Sequence, residues 1–140
     1  MVGPYGYCAD ISRAFVVGNK FNDEQKKLYS MAVEQIDYNS RLIKDGLSFK
    51  EFTDKSWVLP EDYYPNRYSV MVHGIGLCDE WPAIRYPTDG GERSGMFQKN
   101  MTITVESYIG KVGGKEGVKL EQQYLIGENG LELMSHHPLE

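Results

Sequence analysis

Apolar and polar positions alternate along this chain with two distinct periods. Within FNDEQKKLYSMAVEQIDYNSRLIKDG, residues Leu28, Met31, Ala32, Gln35, Ile36, Leu42 and Ile43 recur at helical spacing. That run predicts a helix capped by Asn22 and stopped at Gly46. SFKEF opens a second, shorter helix, because Ser48 followed by Glu51 three residues later is a capping box. Elsewhere the period is two. NMTITVESYIG and VKLEQQYLIG read as strands joined by KVGGKEG, and the turn ENG leads into a short last strand near LELMS. KVGGKEG is glycine-rich, but with a strand and not a helix after it, it is no phosphate loop.

YSVMV predicts a strand running into His73, after the proline-bracketed loop LPEDYYPNRY. YPTDGGERSG reads as an irregular excursion. At the N-terminus, YGYCADISRAFVVG is rich in aromatic and β-branched residues and predicts a strand ending at Gly18–Asn19. A strand, two helices and a run of strands make an α+β domain with an antiparallel or mixed sheet.

Bulk properties narrow the function. The 140 residues suit one modest domain, and 41% hydrophobic with 25% charged residues exclude a disordered chain. A net charge of −5, with scattered lysines and arginines, argues against nucleic acid as a partner. No apolar run approaches a membrane span, and no signal peptide is legible. Cys8 and Cys78 lie far apart, which fits free thiols and a cytoplasmic setting better than a disulfide framework. Cys78 is expected to be packed.

Candidate chemistry comes from acids placed on strands. Asp10 lies within YCADISRAF, Glu106 ends the alternation TITVE, and Glu121 lies within VKLEQQYLI. Any one of them reads equally well as part of a solvated sheet face. Together with His73 they offer three carboxylates and an imidazole, a donor set that suits manganese, iron, cobalt or zinc. Bridging carboxylates can hold two such ions roughly 3.5–4 Å apart.

The order Asp10, HGIG, TITVES, GVKLEQ and GENGLELMS resembles the catalytic domain of the creatinase, prolidase and methionine aminopeptidase superfamily, with its pita-bread fold. The resemblance runs from Gly6 to Ser135. It implies a curved, mostly antiparallel sheet with flanking helices, and makes residues 1–140 the C-terminal portion of that domain. The first half of the fold and a further aspartate ligand would then lie upstream of Met1, leaving an apolar sheet edge or helix face exposed. It further implies that Asp10 bridges two divalent ions, His73 is the histidine ligand, Glu106 the first glutamate ligand and Glu121 the bridging glutamate. Iron comes first among the candidate ions, with manganese, zinc or cobalt as the others. A homodimer is implied as well.

In peptidases of this superfamily a histidine shortly after the His73 position assists the tetrahedral intermediate. Here that place, in HGIGLCDEWP, holds Asp79. An ionised carboxylate repels an oxyanion but is suited to accept a proton. LCDEWP and ESYIGKVGGKEGVKLE resemble the dimethylsulfoniopropionate lyases that arose from the same superfamily. This resemblance implies a small-molecule substrate, Asp79 as the base of a β-elimination, and Tyr68 and Trp81 as part of an aromatic setting for the sulfonium. Three readings stay open: the lyase, an Xaa-Pro dipeptidase or aminopeptidase with a variant loop, and a metal-free binding module. Asp79 as an ordinary loop acid, and Tyr63, Tyr64, Tyr68 and Trp81 as packing residues, belong to the plainer alternatives.

Overall fold

A computed structural model describes residues 1–18, 20–90 and 94–139. Helix α1 spans Asp23–Leu42 and α2 spans Phe49–Lys55. They precede β1 (Val70–Gly74), β2 (Ala83–Arg85), β3 (Thr102–Gly110), β4 (Gly117–Gly127) and β5 (Gly130–Leu133). The five strands form one sheet in the order β2-β1-β3-β4-β5, and every neighbouring pair is antiparallel.

The α1 cap is as expected. Asn22 accepts from the Gln25 backbone N–H at 2.8 Å, and the Gln25 side chain accepts from the Asn22 N–H at 2.9 Å. The helix ends at Leu42, earlier than Gly46, because Ile43 is already extended and turns its side chain into the core. Ser48 caps α2 by accepting from the Glu51 N–H. The reciprocal half of that capping box is absent, since Glu51 pairs with Lys55 one turn on.

Helix α1 packs on β3 and β4 through Leu28, Ala32 and Ile36, which meet a layer that includes Ile103, Val105, Leu120 and Ile126. Gln35 is as buried as its apolar neighbours. It accepts from Ser107 Oγ and donates to Tyr86 Oη, both at 2.6 Å. Gln35→Leu strips both hydroxyls of their partner at once. We expect it to cost about 3 kcal/mol, read from the urea midpoint at unchanged m-value.

One expected strand is absent, and one strand was not expected. The N-terminal segment is not a strand: it carries a 3-10 turn at Pro4–Gly6 and otherwise makes isolated bridges only, Val2 with Cys8 and Ser12 with Glu121. Its aromatic and β-branched residues have the composition of a strand but not the pairing. β5 takes the edge of β4 over Tyr124–Gly127, and Ser12 meets the remainder of that edge at one residue. Asn19, where the strand was expected to end, lies outside the described residues, as do residues 91–93 of the irregular excursion. β2, which the sequence did not announce, is three residues long and borders on prolines.

Exposed apolar side chains occur on helix α1 at Tyr38 and on the edge strand β5 at Leu133, but most lie elsewhere. Val2, Tyr5, Tyr7, Phe15 and Val17 are among them, all on the N-terminal segment. Cys8 and Cys78 are free, as expected, but Cys78 is exposed and not packed. Among the described residues no helix is long and apolar enough to cross a membrane.

Candidate metal centre

Three adjacent strands build the floor of the site. His73 on β1 pairs with Thr104 on β3, and Glu106 on β3 pairs directly with Glu121 on β4. Antiparallel register therefore brings His73, Glu106 and Glu121 onto the face opposite α1. None of the three is on a solvated face: each is 2% exposed. Asp10 arrives from the N-terminal segment, where its backbone N–H donates to the Gln123 side chain at 3.3 Å. Ligand-type atoms of Asp10, His73 and Glu121 lie within 4.8 Å of one another. His73 Nε2 is 3.2 Å from Glu121 Oε1 and 3.7 Å from Glu106 Oε1. All four sequence candidates thus converge.

The surroundings orient these groups. His73 Nδ1 is 3.0 Å from the Gly74 carbonyl, which can only accept, so Nδ1 carries a hydrogen and Nε2 is turned toward the carboxylates. Ser12 Oγ donates to Glu121 Oε2 at 3.0 Å, leaving Oε1 for His73. Lys119 donates to Glu106 Oε2, while Glu106 Oε1 is buried with no hydrogen-bond partner.

Charge crowding appears in the acidities. Burial pushes the Glu106 carboxyl up to about 7, aided by Glu121 and opposed by Lys119 and His73. Burial and Glu121 also raise Asp10. For Glu121 burial acts upward, but His73, Lys119 and Ser12 outweigh it and hold the carboxyl below its usual range. Burial would lower His73, yet the Glu121 hydrogen bond, the Gly74 carbonyl and Glu106 carry it up to about 9.

A divalent ion fits this set. An orphaned buried oxygen, an imidazole nitrogen directed at acids and three crowded carboxylates all gain from a cation between them. Without one, the proton on His73 takes that part. Its ion-free stabilisation is then complete below the ordinary value of 6.5 and is lost as pH rises through about 9. Ion uptake near neutral pH displaces this proton, so apparent affinity rises with pH and levels off above about 9. Calorimetric titration in buffers of different ionisation enthalpy counts the protons released.

The remaining candidates lie outside the buried cluster. Asp79 is exposed on the loop between β1 and β2, and its charge is felt at Asp10, where it raises the carboxyl. Gly74 N–H donates to the Pro82 carbonyl at 2.8 Å and closes that loop at its base. A Cβ on Gly74 would stand 2.0 Å from the Trp81 carbonyl oxygen, so only glycine allows this approach. Trp81 is 60% and Tyr68 39% exposed, and the Lys119 ammonium lies 4.1 Å from the Tyr68 ring centroid. Tyr63 packs in the core, and Tyr64 packs edge-on against Tyr86. Ser12 and Lys119 were not among the candidates named from the sequence. Each stands two residues from an assigned ligand, Asp10 and Glu121 respectively, and in Lys119 the strand's period of two was the available signal.

Known proteins are similar to this chain in sequence and in fold. The profile of metallopeptidase family M24 matches residues 1–128. Dimethylsulfoniopropionate lyase DddP of Roseovarius nubinhibens is 36% identical over 144 aligned positions, covering 100% of this chain and 32% of its own length. The protein of the same name from Roseobacter denitrificans is 35% identical with the same coverage. Prolidase from Pyrococcus furiosus superposes with a TM-score of 0.76 at 28% identity, over 94% of this chain and 38% of its own. For the X-Pro aminopeptidase from Thermotoga maritima the values are 0.75 and 28%, over 96% and 37%. The chain thus spans about a third of the length of the lyases it matches.

Proposed function

Because the chain belongs to metallopeptidase family M24 and folds as part of a pita-bread domain, we propose that it carries the metal-ligand face of a lyase. The reaction would cleave dimethylsulfoniopropionate to dimethyl sulfide and acrylate. The observation that carries this reading is likeness along the whole chain to two proteins named for that reaction. The acid at Asp79 supports it from chemistry.

Asp10, His73, Glu106 and Glu121 would hold the divalent ions, two in number, with iron foremost. Bound there, such ions would supply Lewis acidity that makes the carbon next to a substrate carboxylate more acidic. Asp79 takes the proton from that α-carbon. The electron pair released forms the carbon–carbon double bond, the C–S bond breaks with its electrons going to sulfur, and neutral dimethyl sulfide leaves acrylate behind. Tyr68 and Trp81 offer aromatic faces to the sulfonium. A carboxylate in place of a hydrogen-bond donor makes amide hydrolysis the poorer use of the site. A cytoplasmic homodimer belongs to the same proposal, with residues 1–140 as the C-terminal portion of the catalytic domain.

The test uses protein expressed from its complete native reading frame and loaded with iron, manganese or zinc. It is given dimethylsulfoniopropionate and, in parallel, an Xaa-Pro dipeptide. Headspace dimethyl sulfide without dipeptide cleavage is the expected result. Dipeptide cleavage alone makes the protein a dinuclear hydrolase with a variant loop, the activity named for its structural neighbours. No turnover of either, with no ion bound, favours the binding module.

A further inference from the structure

Lys119 has no role in the reaction just described, yet it stands inside the site. It lies on β4 two residues before Glu121 and so shares that residue's face of the strand. Its ammonium donates to Glu106 Oε2 and rests over the Tyr68 ring, 4.1 Å from the centroid. The side chain is two-thirds buried, at 33% exposure, so this is not a solvated surface lysine. The other oxygen of Glu106, Oε1, faces His73 Nε2 at 3.7 Å and has no hydrogen-bond partner. One carboxylate thus turns one oxygen toward the metal centre while the chain's own cation holds the other.

We propose that Lys119 is a resident counter-cation that competes with the divalent ion for Glu106, keeping metal binding weaker than the bare ligand set would give. Two observations point this way. The ammonium draws on the same carboxylate charge that an ion needs, and it prevents Glu106 from offering both oxygens to an ion. Like charges a few ångströms apart at a poorly solvated site repel, so each lowers the other's occupancy. The Tyr68 ring, over which the ammonium already rests, helps keep this desolvated cation beside Glu106 without neutralising it. A lysine acting only as a prop for Glu106 would have the opposite effect, because its removal would loosen a ligand and weaken binding.

The inference rests on reading Asp10, His73, Glu106 and Glu121 as a metal centre, and the wild-type titration tests that reading separately. Full-length protein is stripped with chelator and titrated with zinc by calorimetry against a competing chelator. Lys119→Met, which keeps the apolar stem, is expected to tighten zinc binding by about tenfold. Lys119→Arg, which keeps the charge, is expected to stay close to wild type. Zinc binding by wild type with unchanged or weaker binding by Lys119→Met overturns the proposal and leaves the metal centre standing. Absence of zinc binding in wild type and variant overturns both. Should Lys119→Met fail to fold, nitrogen-15 lysine NMR of the wild type decides. The Nζ signal that disappears in Lys119→Arg shifts on zinc addition if the ammonium leaves Glu106, and a signal that stays in place overturns the proposal.

Discussion

On the proposed lyase reading, Asp79→Ala is expected to lower dimethyl sulfide release by about a thousandfold while zinc or iron stoichiometry stays at the wild-type value. The size follows from what a positioned base contributes, about 10²–10⁴-fold. The separation follows from placement. Asp79 lies on the exposed loop between β1 and β2, outside the buried cluster of His73, Glu106 and Glu121, so its removal opens no cavity and takes away no ligand. Asp79→Asn is the sharper variant, because it keeps shape and polarity but cannot take a proton. Headspace gas chromatography of both variants, beside metal analysis of the same preparations, gives the two readouts. Turnover left intact in Asp79→Asn removes Asp79 from the mechanism.

Glu121→Gln has the larger effect on the site itself. Glu121 is the side chain on which the cluster turns: it meets His73 at 3.2 Å, accepts from Ser12 at 3.0 Å and lies directly across from Glu106. The amide keeps the volume and one acceptor but loses the charge. Metal affinity is expected to fall by more than the ~100-fold typical of losing a group that merely orients a ligand, and turnover falls with it. His73 provides an independent check. The Glu121 hydrogen bond is the largest of the influences raising its pKa to about 9, so the ion-free variant should titrate well below that value by NMR. Unchanged metal stoichiometry and an unmoved His73 would show that Glu121 is not a ligand.

Long elements with a clear period were legible in the sequence. Helix α1 and strands β3 and β4 bury one continuous layer, and their patterns say so. β2 was not legible because three residues between proline-rich turns carry too little pattern to count. The N-terminal segment misled in the opposite direction. Its residues favour extended backbone, but only pairing makes a strand, and along β4 the segment forms a bridge at Ser12 alone, with β5 on that edge over Tyr124–Gly127. In the site, period two placed Glu106 and Glu121 on strands without saying that they face each other, since register depends on both partners. His73 and Asp10 were grouped with them as one donor set, and resemblance to a known family gave each its role. Lys119 stood in plain view within GVKLEQ, and only the cross-strand neighbour Glu106 makes it notable.

That same register has a consequence for how the site tolerates change. Because side chains alternate across a strand, slipping β4 by one residue against β3 would turn Glu121 toward α1, into the company of Leu28, Ala32 and Ile36. A carboxylate there would have neither water nor partner, so the slip is forbidden from the far side of the sheet. The oily layer beneath α1 therefore acts as the alignment gauge for the acids above it. Substitutions that loosen that layer are errors of calibration, which reach the ligands without touching them.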